Sequence, residues 1–293
     1  MGNDRLKGCV ALVTGGSRGV GKGIAIGLAE AGATVLVTAR ARSAGASEWP
    51  GSLDETIDAI HEAGGKGIGI VCDHADDDSV KEVFTLVERK FGRLDLLVNN
   101  VFAAPDVMPV NVPFWQIPVS LWDTMHRVGL RSHFVASRHA VPLMLPRRRG
   151  LIVNTSFGGG VRYTFNVPFG VQKSGVDRMA RDMAHELRPF GICAVAIWPG
   201  YIRSEKLATQ PDRVPQALAR LIAEKGETPL FVGRAVAALV ADSNVIEKTG
   251  QILLAAELAR EYGFTDVDGR IPPPPSRDPT PLSVFQPAVP ASP

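Results

Sequence analysis

Eight residues near the start of the chain, Thr14-Gly15-Gly16-Ser17-Arg18-Gly19-Val20-Gly21, have the composition of a phosphate cradle. Glycine permits positive φ in a tight turn and lets backbone N–H groups reach an anion without side-chain obstruction. The apolar run Cys9-Val10-Ala11-Leu12-Val13 precedes them, and Ile24, Leu28 and Ala31 follow at helical spacing. Strand, glycine turn and helix thus come in order, and a diphosphate suits such a turn. Arg18 lies inside the turn, and Arg40 follows the next β run, Ala33 to Thr38. A carboxylate at the end of that strand would accept ribose hydroxyls and repel a 2′-phosphate, whereas two guanidiniums clasp a phosphate through charge-assisted bonds. Singly, each arginine reads equally as an ordinary surface residue; jointly they predict NADP(H) in preference to NAD(H).

Holding such a turn requires a sheet, and the chain alternates in the way that builds one. Further short β runs stand at Ile68 to Cys72, Leu94 to Val98, Leu151 to Thr155, Ile192 to Trp198 and around Gly250 to Ala255. Between them lie helical patterns at 53–63, 76–91, 120–145, 170–188, 214–224 and 231–242. This predicts an α/β fold: one Rossmann-type, doubly wound parallel sheet with helices on both faces and ligands at the strand C-terminal ends. The domain spans 1–270, with substrate loops at about 101–118 and 201–230. Nine of the twenty-two residues from Pro272 to Pro293 are proline, so 271–293 reads as a flexible tail with little to bury.

At 293 residues and 45% hydrophobic, the chain can bury one large core, and a net charge of +2 points to neither nucleic acid nor a membrane surface. Cys9, Cys72 and Cys193 fall in apolar runs without metal-ligand or disulfide spacing, which suggests buried thiols in a reducing compartment and no metal. No signal-peptide pattern or spanning apolar run is visible, so a cytoplasmic location is expected.

The spacing Thr-Gly-x-x-x-Gly-x-Gly resembles the short-chain dehydrogenase/reductase family, and later motifs extend the resemblance over roughly residues 7 to 269. Asp73 resembles the carboxylate that bonds the adenine amine. Asn99-Asn100-Val101-Phe102 resembles the family's Asn-Asn-Ala-Gly with its second half altered, and Pro199-Gly200 with Ser204 resembles the segment that holds the carboxamide. The resemblance implies cofactor contacts from Gly15, Ser17, Arg18, Gly19, Val20, Gly21, Arg40, Asp73, Asn99, Lys173, Pro199, Gly200, Ile202 and Ser204. Phe165-Asn166-Val167-Pro168, the stretch from Tyr262 to Gly269 and Val128-Gly129-Leu130 look like the subgroup that includes dehydrogenase/reductase member 1.

The family carries its chemistry on Asn, Ser, Tyr and Lys, with the tyrosine four residues before the lysine as proton donor or acceptor. Lys173 is present, but Phe169 stands at the tyrosine position. Phe157 stands at the serine position, although Ser156 lies thirteen residues before Phe169, and Gly129 takes the place of the asparagine. A phenyl ring has no proton to give. Tyr163 is a candidate substitute acid, with Ser156, His133 and Tyr201 as further polar candidates. The resemblance implies an NADP(H)-dependent oxidoreductase with an atypical site, suited to an iminium ion or activated C=C in a pocket shaped by Phe102, Phe157, Phe165 and Phe169. The expected substrate is a small apolar or aromatic molecule. Two other readings stay open: a non-redox isomerase, cyclase or lyase on this scaffold, or a nucleotide-binding pseudoenzyme acting through a partner. Relatives commonly form dimers or tetramers through the helices at 120–145 and 170–188, so a homo-oligomer is expected.

Overall fold

The computed structural model describes residues 4–45, 49–103, 105, 108–209, 214 and 216–280. Seven strands form one sheet: β1 (Val10–Thr14), β2 (Thr34–Ala39), β3 (Lys66–Val71), β4 (Leu96–Asn99), β5 (Gly150–Thr155), β6 (Ile192–Trp198) and β7 (Ile252–Leu254). Their order is β3-β2-β1-β4-β5-β6-β7, and every pairing is parallel. Residues of β1, β4, β5 and β6 are buried throughout because helices cover both faces, which is why these strands read as unbroken apolar runs. The sequence direction reverses between β1 and β4, and a crevice opens above their C-terminal ends.

One face packs against α1 (Gly19–Glu30), α2 (Leu53–Glu62), α9 (Pro229–Ala241) and α10 (Ala255–Tyr262). The other packs against α3 (Asp77–Phe91), α5 (Ser132–Met144) and α6 (Val167–Leu187). Small residues set the position of α1: a Cβ on Gly27 would lie 2.6 Å from the Gly233 carbonyl carbon of α9, so the two helices approach backbone to backbone. That contact fixes where the N-terminus of α1 points.

The sheet and its main helices agree with the sequence pattern, with four differences. The helix expected over 120–145 is divided into α4 (Val119–His126), a π-helical turn at Arg127–Arg131, and α5. Gly129 sits in that turn, and Gln172 of α6 fills the adjacent space and donates to the Met125 carbonyl at 2.6 Å. Two short helices, α7 (Glu205–Thr209) and α10, join α8 (Gln216–Lys225) among the C-terminal elements. The last strand is correspondingly shorter, because Ala255 already begins α10.

The fourth difference concerns the proline-rich end. Residues 271–280 lie extended against the domain, with Pro272 and Pro275 buried and Arg277 donating to the Ile252 carbonyl at 3.2 Å and pairing with Glu257 at 3.3 Å. Proline gives up no backbone donor and packs readily against an existing surface, so it needs no core of its own to be ordered there. Residues 281–293 of the expected flexible tail lie outside the described residues. Among the described residues, no helix is long and apolar enough to cross a membrane.

Candidate active site

The glycine turn is built by β1 and tied to β4. The Thr14 hydroxyl donates to the Val98 carbonyl and accepts from the Asn100 and Val101 amides at 3.0 and 3.1 Å. The Asn100 side chain donates to the carbonyls of Thr14 and Gly15 at 2.9 and 3.0 Å. Gly15 has φ +68°, and a Cβ there would lie 2.7 Å from the Val101 Cα, so no other residue fits without moving the chain. Gly19 begins α1 with φ +54°, and its N–H donates to the Glu205 carboxylate at 2.9 Å. An anion thus already sits on the helix N-terminus, and it comes from α7 of the protein itself. The turn thus presents a backbone N–H to a negatively charged group, the arrangement a dinucleotide diphosphate would also use.

Around this turn, Arg18 is half-buried and Arg40 is exposed directly after β2. Burial pulls the Arg18 guanidinium below its ordinary value, Glu205 opposes this, and the positive charge of Arg40 adds to the depression. The two cations are therefore near enough to interact electrostatically. Ser17 is buried in the turn. The Asp73 carboxylate accepts from the Ala75 amide at 2.9 Å in the exposed turn after β3. Beside it, buried His74 bonds the Thr38 hydroxyl at 2.8 Å, and burial pulls its imidazole down to about 4. Asn99 is fully buried; its amide donates to Ser137 and Asn154 at 2.9 Å each, so its side chain braces β4, β5 and α5, and its neighbour Asn100 is the one that faces the crevice.

Next to the glycine turn lies a cavity of about 320 Å³, bounded on the side of that turn by Val20, Asn100 and the segment Pro199 to Ile202. The rings of Phe102, Phe157, Phe165 and Phe169 form its aromatic walls. Phe169 is the hub: Phe165, Phe102 and Phe157 meet it edge-on at 5.0, 6.2 and 6.4 Å. Such pairs add about 0.5–1.5 kcal/mol each beyond area burial. Phe165 adopts φ +60°, a costly conformation for a bulky side chain. Asn166 follows it as the cap of α6, accepting from the Phe169 amide at 3.0 Å and donating to the Pro109 carbonyl at 3.0 Å. One side chain therefore fixes the start of α6 and ties Pro109 to it.

Lys173 comes one turn after Phe169 on α6 and lines the same cavity. Its Nζ lies 3.4 Å from the Thr155 carbonyl, and the rings of Phe102 and Phe169 lie 5.1 and 5.7 Å away. Burial pulls the ammonium down to about 8, with Asp177 opposing. Ser156 also lines the cavity, but its hydroxyl donates to the Lys173 carbonyl at 3.3 Å. Tyr201 lines it as well; its phenol accepts from Arg162 at 3.1 Å, and burial pushes it up. Tyr163 does not line the cavity: it packs with Leu218 and Ile222 on α8. His133 faces the Val101 carbonyl at 3.0 Å, and burial pulls it down to about 3, so it is a neutral structural group.

Three participants escape sequence reasoning because their partners are remote in the chain. Glu205 reaches Gly19 across 186 positions. Gln172 occupies the space beside Gly129: a Cβ on that glycine would lie 1.9 Å from its amide nitrogen. Glu227 is fully buried behind Gly200, and burial pushes its carboxyl up to about 8. The Glu227 backbone pairs with Tyr201 and Arg203 at 2.8 and 2.9 Å, which pins the segment carrying Ile202 and Ser204, the residue that precedes α7.

Residues 9–214 match the family model described as short chain dehydrogenase. The chain is 39% identical over 274 residues to dehydrogenase/reductase SDR family member 1 of Mus musculus, covering 90% of this chain and 85% of that protein. The Homo sapiens protein of the same name is 39% identical over 277 residues, with the same coverage. Among solved structures, an actinorhodin polyketide ketoreductase with NADPH superposes with a TM-score of 0.73 at 26% identity, covering 85% of this chain and 96% of that one. The parallel sheet, the glycine turn at its switch point and these similarities lead to one statement: the chain belongs to the short-chain dehydrogenase/reductase family and is similar to its member 1 subgroup.

Proposed function

We propose that the protein is an NADP(H)-dependent oxidoreductase whose aromatic cavity takes a small apolar substrate that does not depend on a tyrosine acid. The observation carrying this reading is the side chain one turn before Lys173, which is the phenyl ring of Phe169 at the centre of the cavity. An iminium ion already bears the charge that an acid would create, and an activated C=C accepts its proton at a different atom from a ketone. Nicotinamide supplies the hydride when bound. The protein's own contribution is to hold the diphosphate on α1, to clasp the 2′-phosphate between Arg18 and Arg40, and to exclude water with four phenyl rings. The three free cysteines accord with a cytoplasmic setting. Exposed Trp122, Phe134 and Val171 on α4, α5 and α6 support assembly as a homo-oligomer.

Titration with NADPH and NADH, followed by energy transfer from tryptophan to nicotinamide, tests the cofactor assignment. NADPH should bind at least about tenfold more tightly, since a charge-assisted bond contributes roughly 1.5–3 kcal/mol. Replacing Arg40 with aspartate should erase that preference. Equal affinities in the native protein would remove the phosphate clasp from the reading.

A further inference from the structure

The least ordinary group in the cavity is Lys173. Its amine is buried and, among the described residues, has one hydrogen bond, the 3.4 Å contact with the Thr155 carbonyl. Among the described residues it forms no ion pair, and the nearest acid along its helix, Asp177, is engaged by the Trp198 indole N–H at 3.0 Å. The other groups that bear on it electrically are few. His133 is neutral and Tyr201 is occupied with Arg162. Two phenyl faces stabilise its cationic form, yet neither can take or relay a proton. The amine thus faces an apolar cavity with protons to give and no phenol one turn before it to pass them through.

We propose that Lys173 is the proton donor of this site and that its substrate is an electron-poor alkene conjugated to a carbonyl. The proposal rests on the NADP(H) reductase reading and chooses within it. An iminium substrate would bring a second positive charge beside a buried ammonium, where low dielectric magnifies repulsion. An enone is neutral on entry, suits apolar walls, and develops negative charge as hydride arrives, which the ammonium stabilises. Hydride adds to the β-carbon, the C=C π pair moves onto the α-carbon and carbonyl oxygen, and one Lys173 N–H bond breaks to protonate the α-carbon. The amine is left neutral and regains its proton from solvent, so one hydride and one proton are consumed per alkene reduced. An amine that loses its proton near pH 8 can perform this cycle without remaining locked in either state.

Two measurements on the full-length protein test this. Without cofactor, the pH dependence of trinitrobenzenesulfonate labelling at Lys173, read by peptide mass spectrometry, should have its midpoint near 8. With NADPH and 2-cyclohexen-1-one or a 2-alkenal, kcat should fall as pH rises through that midpoint. Lys173→Met should lower kcat by about a hundredfold or more and flatten the profile. Lys173→Arg, which keeps the charge but cannot give up its proton, should flatten it too. A labelling midpoint above 10, a pH profile that survives in K173M, or a variant that loses only NADPH affinity would overturn the proposal. So would transfer of the pH dependence to Tyr201, seen as a flat profile in Y201F. If NADPH binds but neither alkene is reduced, this proposal alone fails; if NADPH does not bind, the reductase reading fails with it.

Discussion

At residue scale Phe169 meets three other phenyl rings edge-on and lies 5.7 Å from a lysine amine without offering it a hydroxyl. A phenol here would bring a hydroxyl into the group that Lys173 now faces alone. Restoring it should therefore convert the chemistry. Phe169→Tyr with Phe157→Ser is expected to raise ketone reduction by about a hundredfold while leaving NADPH affinity in place. No gain in a folded, cofactor-binding double variant would show that these two positions do not serve the acid and hydroxyl roles. Phe169 and Lys173 were legible in the sequence because four residues on a helix place two side chains on one face. Gln172, Glu205 and Glu227 were not, since each acquires its part from a neighbour that only the fold brings near.

At the scale of elements, the segment from Pro199 to Thr228 depends on a buried acid. Glu227 lies behind Gly200 with its carboxyl pushed up to about 8, mainly by burial; Asp266 adds to the rise, and the Gly200 amide and Arg203 oppose it. In the unfolded chain the same carboxyl loses its proton near 4.5. Between those values the folded state holds a proton that the unfolded state has released, so the contribution of Glu227 to stability falls as pH rises from about 4.5 to about 8. Glu227→Gln keeps the hydrogen-bonding shape without the titration. Its melting temperature should match that of the native protein near pH 4.5 and exceed it progressively up to pH 8, as followed by thermal unfolding. A difference that does not vary with pH would exclude Glu227 as the cause. The elements themselves were mostly legible, because strands covered on both faces declare themselves as continuous apolar runs. The π-turn at Arg127–Arg131 was not, for one widened turn barely disturbs helical periodicity.

The molecule as a whole is closed at its C-terminal end by residues that composition alone assigned to a tail. Arg277 grips β7 and α10, while the Ser276 carbonyl lies against Gly158, next to the loop that carries Phe157. Deleting 271–293 should therefore cost about 1–2 kcal/mol in lost hydrogen bonding and packing. That corresponds to a fall of roughly 2–8 °C in melting temperature for a domain of this size, and an unchanged melting temperature would remove the segment from the stability of the domain. Composition could not reveal this, since proline excess measures what a segment lacks for a core of its own and not what an existing surface offers it. The Glu205 carboxylate on Gly19 makes the free protein its own competitor: a dinucleotide must evict a tethered anion that never leaves the vicinity. Entry of a diphosphate is therefore an exchange of one tethered carboxylate for a group of higher charge, and ligands with only a single weak negative group, such as an acetate ion, gain little by it.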